Sequence, residues 1–202
     1  LVDDPAHLQE GLSLLEQLRQ TLPPSGTEKP NVNDLENRLV RGLVTKGLAA
    51  RDAKDLARAQ TDMLEALAIA DRMVQRSPLN PDSLDALYWA HQKLGDLLQW
   101  DQRRPGEAVS HYEQARNAME RLAAKNGLDD SIANRLGWSC QNGGHALLAT
   151  KRDSHLVNIA VRGLEMREYR SKLAPDNVAT QAGLRDSYVL LNLALAHTPD
   201  PA

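Results

Sequence analysis

The sequence predicts an all-α fold built from repeated pairs of antiparallel helices. Apolar residues recur at helical spacing between short breaks, and the breaks themselves return every 48 to 49 residues. No segment alternates apolar and polar residues convincingly in the way a half-buried strand does, and β-branched residues are sparse. These observations favour a helical repeat array over any fold that contains a sheet.

The repeat is visible in several columns of residues that share one register. Each column keeps a physical type, which is small, apolar or helix-breaking, at steps of 48 or 49 residues. The small columns are Gly47, Gly95 and Gly144 (the next step reaches Asn192) and Ala66, Ala115 and Gly163; the apolar column is Leu39, Leu87, Leu136 and Leu184; the breaking column is Pro30, Pro78, Gly127 and Pro175. Two antiparallel helices approach to about 8–10 Å only where a small side chain lies at the crossing, so the small columns predict close contact between helices or a local bend at these positions.

Each period divides into a first and a second helix. We expect first helices at 33–50, 81–100, 129–150 and 177–197, and second helices at 54–76, 106–125 and 154–173. A further second-type helix is predicted at 5–22, followed by a longer polar loop at 23–32. Asp and Asn residues just after the breaks are expected to cap the helices that follow.

The whole chain, 1–202, is therefore predicted to be a single array of about eight helices. It comprises a partial repeat at 5–22, repeats at 30–77, 78–126 and 127–174, and a second partial repeat at 175–198. The chain begins without Met or a signal-peptide pattern, and neither predicted end carries an obvious polar cap. We therefore interpret it as a piece of a larger protein.

Composition narrows the classes of function. The formal charge is −3 with both signs mixed along the chain, which gives no general attraction to nucleic acid or anionic lipid. No apolar run reaches the roughly 18 residues of a membrane-spanning helix, so no membrane insertion is expected. The one cysteine, Cys140, excludes an internal disulfide framework but leaves the compartment open, with the cytoplasm favoured.

The residues of the second repeat resemble tetratricopeptide repeats. Leu94-Gly95, Ala108, Tyr112 and Ala115 match that family's signature, whereas His91 and Leu98 replace its usual Trp and Tyr. The period of 48 to 49 exceeds the family's usual length of about 34, and resembles the long-unit arrays fused to bacterial signalling proteins. The resemblance implies a right-handed α-solenoid of antiparallel hairpins, with first helices lining the inner surface and second helices facing outward.

Patterns that would indicate catalysis or metal binding are absent. The sequence has no phosphate-binding glycine loop and no nucleophile or zinc motif of the common types. Cys140 and His145 are five residues apart on one predicted helix, so their side chains diverge, and Cys140 is expected to be a buried structural residue. No two histidines are spaced at i and i+4. We expect a protein that is not an enzyme and needs no cofactor or metal.

The candidate binding residues come from the resemblance, because ligand contacts in that family lie on the exposed face of first helices. Transferring this face gives, in two successive repeats, Trp89, Gln92, Lys93, Asp96 and Gln99, and then Trp138, Gln141, Asn142 and His145. Trp89 and Trp138 are 49 residues apart and so occupy equivalent positions. They could clamp a peptide in the groove, or they could be packing residues between repeats; the sequence leaves both readings open.

The sequence thus predicts a non-enzymatic scaffold that binds a protein or peptide in a concave groove. The alternative is a regulatory or sensor arm of a larger signalling enzyme, such as a kinase, ATPase or protease, which would act through contacts with other domains of its parent chain or through self-association. Neither interpretation requires nucleic acid.

Overall fold

The structure is a computed structural model that describes residues 31–151 and 155–197. Within these ranges it contains seven α-helices and no strand, which confirms the all-α prediction. The helices are α1 (Val32–Asp52), α2 (Leu56–Arg76), α3 (Pro81–Asp96), α4 (Pro105–Asn126), α5 (Asp130–Thr150), α6 (Leu156–Leu173) and α7 (Val178–His197). A π-helical turn, Leu97–Asp101, continues directly from α3.

The helix ends lie within two residues of the predicted ones, except where the π-helical turn replaces the last part of α3. Local chemistry explains this agreement. Asn80 accepts hydrogen bonds from the backbone N–H groups of Asp82 and Ser83 at the start of α3, and Asp129 accepts one from Ile132 at the start of α5. The predicted helix at 5–22 and most of the predicted loop at 23–32 lie outside the described residues.

Each helix packs against the helices that precede and follow it in the chain. α1 and α2, α3 and α4, and α5 and α6 form the three expected hairpins, and α2, α4 and α6 each also contact the next first helix. The first helices touch one another as well, α1 against α3 and α5 against α7. Side chains join α3 to α5, where the Ser139 hydroxyl donates to Gln92 Oε1 at 2.9 Å.

The core is built from small and aliphatic side chains and a few methionines. Ala66 and Ala115, from one small column, are fully buried. At Gly47 a Cβ atom would lie 3.0 Å from Met63 Cγ of α2, and at Gly95 it would lie 2.8 Å from Tyr112 Cε1 of α4. These two glycines therefore mark hairpin crossings, as predicted.

The third glycine of the column also marks a close contact, but with a helix of the next repeat rather than within its own hairpin. A Cβ at Gly144 would meet Leu190 of α7, which belongs to the next repeat, at 2.7 Å. In the hairpin of α5 and α6 the close contact lies at Gly163 of α6, where a Cβ would be 3.0 Å from Cys140 Cβ of α5. α5 and α6 therefore pack closely, as the helices of the first two hairpins do, but the glycine at their contact belongs to the second helix and not to the first.

The last helix, α7, carries apolar side chains on two faces. Leu190 and Ala194 are buried against the preceding repeat, whereas Tyr188, Val189 and Leu193 are exposed. None of the helices in the described ranges is long and apolar enough to cross a membrane.

Candidate binding surface on the first helices

One buried carboxylate, Asp85 of α3, links three first helices. Arg41 of α1 donates to Asp85 Oδ2 through Nη2 at 2.7 Å, and Asn37 donates to the same oxygen at 3.3 Å. Arg135 of α5 pairs with the other carboxylate oxygen, Oδ1. The guanidinium groups of α1 and α5 are thus fixed relative to one another through the helix that lies between them.

A second carboxylate, Asp96, receives four donors at the end of α3. Its Oδ1 accepts from Gln92 Nε2 at 3.2 Å, from the Tyr112 hydroxyl at 3.1 Å and from Asn142 Nδ2 at 3.0 Å. Its Oδ2 accepts from Lys93 Nζ at 2.8 Å. Burial, followed by the nearby Asp96 charge, raises the pKa of Tyr112 well above its usual range, so the phenol remains a donor.

Four of the expected groove residues therefore form an interhelical network. Gln92 is buried, bonded to both Asp96 and Ser139, and Asn142 joins α5 to the same network. Lys93 keeps about a quarter of its side chain exposed, 26%. Because their polar groups already have partners within the fold, Gln92, Asp96 and Asn142 serve first to hold α3, α4 and α5 together.

Trp89 is half-buried and surrounded by cations. The guanidinium groups of Arg41 and Arg135 lie 5.3 and 5.7 Å from its ring centroid, and Lys93 Nζ lies 5.9 Å away. The Tyr88 ring meets it edge-on at a centroid distance of 5.3 Å. The indole Nε1 is buried without an acceptor among the described residues. This Trp packs between repeats while one part of it reaches the surface.

Trp138, at the equivalent position one repeat later, is 47% exposed. Its ring lies over the guanidinium of Arg167 of α6, with Cζ 4.9 Å from the ring centroid. The two tryptophans form no ring contact with each other within the described part of the chain; each is paired with cations instead. The sequence left open whether the two tryptophans line the groove or pack between repeats. In the structure Trp89 is closer to a packing residue, whereas Trp138 is open to solvent.

The remaining predicted residues lie at the margin of this surface. Gln99 is buried within the π-helical turn, and Gln141 is half-buried with its Oε1 atom unpartnered among the described residues. His145 lies edge-on to the exposed Trp100 at a centroid distance of 6.4 Å. Burial lowers the pKa of His145, so its imidazole is neutral near pH 7.

The sequence analysis missed the cations that accompany the tryptophans, namely Arg41, Arg135 and Arg167. A signal for Arg167 was present, since it falls in the same column as Ala70 and Met119 at steps of 49 and 48. A charged residue in an otherwise apolar column indicates an environment that differs from its equivalents.

A pair formed by the buried His91 and the half-buried His111 in the second hairpin was also not predicted from the sequence. His91 Nδ1 of α3 and His111 Nδ1 of α4 are 2.9 Å apart, so one ring donates to the other. Burial, followed by the neighbouring His111, lowers the pKa of His91 to about 4, and burial also lowers that of His111. His91 and His111 are equally far from residue 101, which lies in the break between the two helices. Two antiparallel helices bring such positions side by side, so this spacing was the signal for the pair.

Cys140 is fully buried, as predicted, and burial raises the pKa of its thiol to about 12. In the described ranges no three His, Cys, Asp or Glu side chains are grouped so that they could hold a metal ion. A cavity of about 10 Å³ between α4, α5 and α6, lined by Tyr112, Ser139 and Gly143 among others, is large enough for about one water molecule. The candidate site is therefore the surface around Trp89 and Trp138 rather than this cavity.

Comparison with known proteins adds no relative. No protein-family model matches the chain, and no curated protein matches it either. The resemblance to tetratricopeptide repeats accordingly stays a prediction from the residues that carry it.

Proposed function

We propose that the chain is a non-enzymatic scaffold that binds a peptide or protein segment on the surface formed by its first helices. In this proposal the hairpins stack as a right-handed, tetratricopeptide-like α-solenoid, and the first helices line its concave side. Two features support such stacking. Helices contact their neighbours in sequence, and Asp85 and Asp96 of α3 bond to side chains of the neighbouring first helices α1 and α5.

The observation that carries the proposal is the exposure of Trp138 on a rigid helix. Its side chain is 47% exposed while Gly137 and Ser139 on either side of it are buried, so the indole projects from a fixed backbone. A large aromatic side chain held in this way offers contact area and a donor N–H at little cost in conformational entropy. Such residues are typical anchors of protein interfaces.

The charge around the two tryptophans indicates the chemistry of the partner. Arg41, Lys93 and Arg135 lie within 6 Å of the Trp89 ring centroid. Asp85 is shared by Arg41 and Arg135, and Asp96 pairs with Lys93. Three cations thus meet two carboxylates, so the local balance is positive although the whole chain is slightly acidic. A segment that combines acidic and aromatic or aliphatic side chains fits this surface best.

The test is a peptide selected from a display library and then measured by calorimetry. We expect Trp138→Ala to weaken binding by about 1–2 kcal/mol, roughly five- to thirtyfold, because it removes the anchor. Circular dichroism should show unchanged helicity. The matched control is Trp100→Ala, since Trp100 is equally exposed, 50%, but lies on the π-helical turn. Equal losses in both variants, or parallel loss of folding and binding in Trp138→Ala, would contradict the proposal.

A further inference from the structure

Arg167 occupies a position that the fold itself fills with apolar residues. Its equivalents in the two preceding second helices are Ala70 and Met119, and both are fully buried. Arg167 is buried to the same degree, with 2% of its surface exposed. The first two hairpins therefore fold without a charge at this position. The free-energy cost of burying a guanidinium arises only in the third repeat.

The guanidinium lies in a cradle made by two glycines and a tryptophan. A Cβ at Gly137 of α5 would come 2.8 Å from Arg167 Nε, and a Cβ at Gly183 of α7 would come 3.3 Å from its Cζ. Any other residue at position 137 would press on this side chain. Trp138 covers the group at 4.9 Å and is itself exposed, so its indole lies beside both the guanidinium and the solvent.

Among the described residues, only one of the three guanidinium nitrogens has a hydrogen-bond partner. Arg167 Nη1 donates to Asn134 Oδ1 at 3.1 Å. Nε and Nη2 are buried and have no acceptor among the described residues. No carboxylate forms an ion pair with Arg167 in the same part of the chain, and burial, followed by the neighbouring Arg170, lowers its pKa. A guanidinium remains protonated in proteins, so the described residues bury a positive charge here with no carboxylate in direct contact, and Asp186 acts on it only from a greater distance.

The unpartnered edge is the one with which other arginines of this chain hold carboxylates. Arg162 uses Nε and Nη2 to bind the two oxygens of Glu120 at 2.8 and 2.9 Å. Arg170, one turn after Arg167 on α6, uses the same two nitrogens on Asp130 at 2.7 and 3.3 Å. This fork matches the spacing of two oxygens in a carboxylate.

Two further buried oxygens lie one helical turn after the two glycines that contact Arg167. Gln141 follows Gly137 by one turn on α5, and Ser187 follows Gly183 by one turn on α7. Their repeat equivalents, Gln92 and Ser139, are bonded to each other, whereas Gln141 Oε1 and Ser187 Oγ have no partner in the described ranges. Unpartnered buried polar atoms thus occur on both α5 and α7, the two helices whose glycines contact Arg167.

We propose that Arg167 is the anchor of a carboxylate-binding site, which takes the side chain of an Asp or Glu residue of a protein partner at the edge of Trp138. The two carboxylate oxygens receive Nε–H and Nη2–H. A single guanidinium balances the single charge of a carboxylate. The Trp138 ring shifts to admit the ligand and then packs on its aliphatic part. This inference rests on the proposed function, since Trp138 belongs to both surfaces.

The experiment titrates the intact chain with the blocked tripeptide acetyl-Gly-Glu-Gly-amide and with its Gln counterpart, at constant ionic strength. The Trp138 indole N–H shift in NMR spectra reports binding. We expect saturable binding of the Glu peptide at least tenfold tighter than that of the Gln peptide. Arg167→Met, which installs the residue of the equivalent position 119, should abolish this difference. Arg162→Met removes a cation from the same helix and should preserve it.

Should Arg167→Met not fold, Arg167→Lys keeps the charge but lacks the two-nitrogen fork, and it should reduce the preference for Glu. Equal affinity for the two peptides, equal loss in Arg162→Met, or tighter binding of inorganic phosphate than of the Glu peptide would overturn the proposal. If selected longer peptides bind through Trp138 but are unaffected by Arg167→Met, the scaffold function stands and the carboxylate site is overturned. If only the Glu tripeptide binds, through Arg167, the carboxylate site stands without the proposed scaffold function.

Discussion

Gly95 of α3 lies directly against the aromatic ring of Tyr112 of α4. A Cβ atom at position 95 would come within 2.8 Å of Tyr112 Cε1 and 3.1 Å of Cδ1. The ring cannot move away freely, because it is buried and its hydroxyl donates to Asp96. The second hairpin is therefore closed at one point by a residue without a side chain and an aromatic ring that fills the space.

We expect Gly95→Ala to destabilise the protein by about 1–2 kcal/mol. Overpacking against the ring costs about 1–3 kcal/mol, and the better helix propensity of Ala returns up to about 1 kcal/mol. Gly42→Ala is the matched control, since nothing lies within 4 Å of a Cβ at that position of α1. It should stabilise by about 0.5–1 kcal/mol. Urea unfolding of both variants measures the difference, and a stabilised Gly95→Ala would contradict this account.

Asp96 is expected to matter for stability more than any one of its donors. Asp96→Ala leaves the Tyr112 hydroxyl and the Gln92 and Asn142 amides without their acceptor, and should lower the free energy of unfolding by about 2–4 kcal/mol. Asn142→Ala removes a single donor and should cost about 1 kcal/mol. Chemical denaturation provides both values. Equal and small losses would mean that the network adds little to the packing around it.

The His91 and His111 pair predicts a loss of stability in acid. In the folded protein the pKa of His91 is lowered from 6.5 to about 4 by burial and by His111. The unfolded chain therefore binds protons first as the pH falls, and stability decreases from about pH 6.5 towards pH 4. His145, whose pKa burial also lowers, adds to the same trend.

The measurement is the unfolding free energy between pH 7 and pH 4. We expect the double variant His91→Leu/His111→Leu to flatten this dependence, because Leu takes up no proton. His197→Gln changes an exposed histidine at the end of α7 and should keep the slope of the wild-type protein. An unchanged slope in the double variant would assign the acid sensitivity to other groups.

Cys140 should be unreactive towards iodoacetamide in the native protein. Its thiol is fully buried and has a pKa of about 12, so both access and the thiolate fraction are low near pH 8. We expect native alkylation to be slower than alkylation in guanidinium chloride by at least about a thousandfold, on thiolate fraction alone. Mass spectrometry over time measures both rates. Rapid labelling under native conditions would show that α5 and α6 separate readily at Gly163.

The helix boundaries could be predicted because their causes are local. Asn80 and Asp129 cap helices through backbone groups two or three residues away, and Pro81 and Pro105 begin helices where a missing N–H is harmless. The π-helical turn at Leu97–Asp101 was not predicted. Its backbone pattern depends on how α3 packs at its end, and no residue type in that segment signals it.

The candidate site was predicted only in part. The transferred face of the first helices contains the exposed Trp138, but it also contains Gln92 and Asp96, which the structure engages between helices. The sequence of one helix does not show which of its polar residues stay exposed and which bond to neighbouring helices. Ser139, Asn142 and Tyr112, the partners that bury these groups, come from helices 16 to 47 residues further along the chain.

The sequence by itself determined that the part of the chain described by the structure is helical, where those helices begin and end, and that the breaks between them return every 48 to 49 residues. These properties depend on caps, breaks and apolar spacing within one or two turns. Only the tertiary structure decided what each repeated position faces. Trp89 and Trp138 are equivalent in sequence, yet one is half-buried among Arg41, Lys93 and Arg135 and the other is open over Arg167. Burial depends on side chains that neighbouring hairpins supply, and these differ from repeat to repeat.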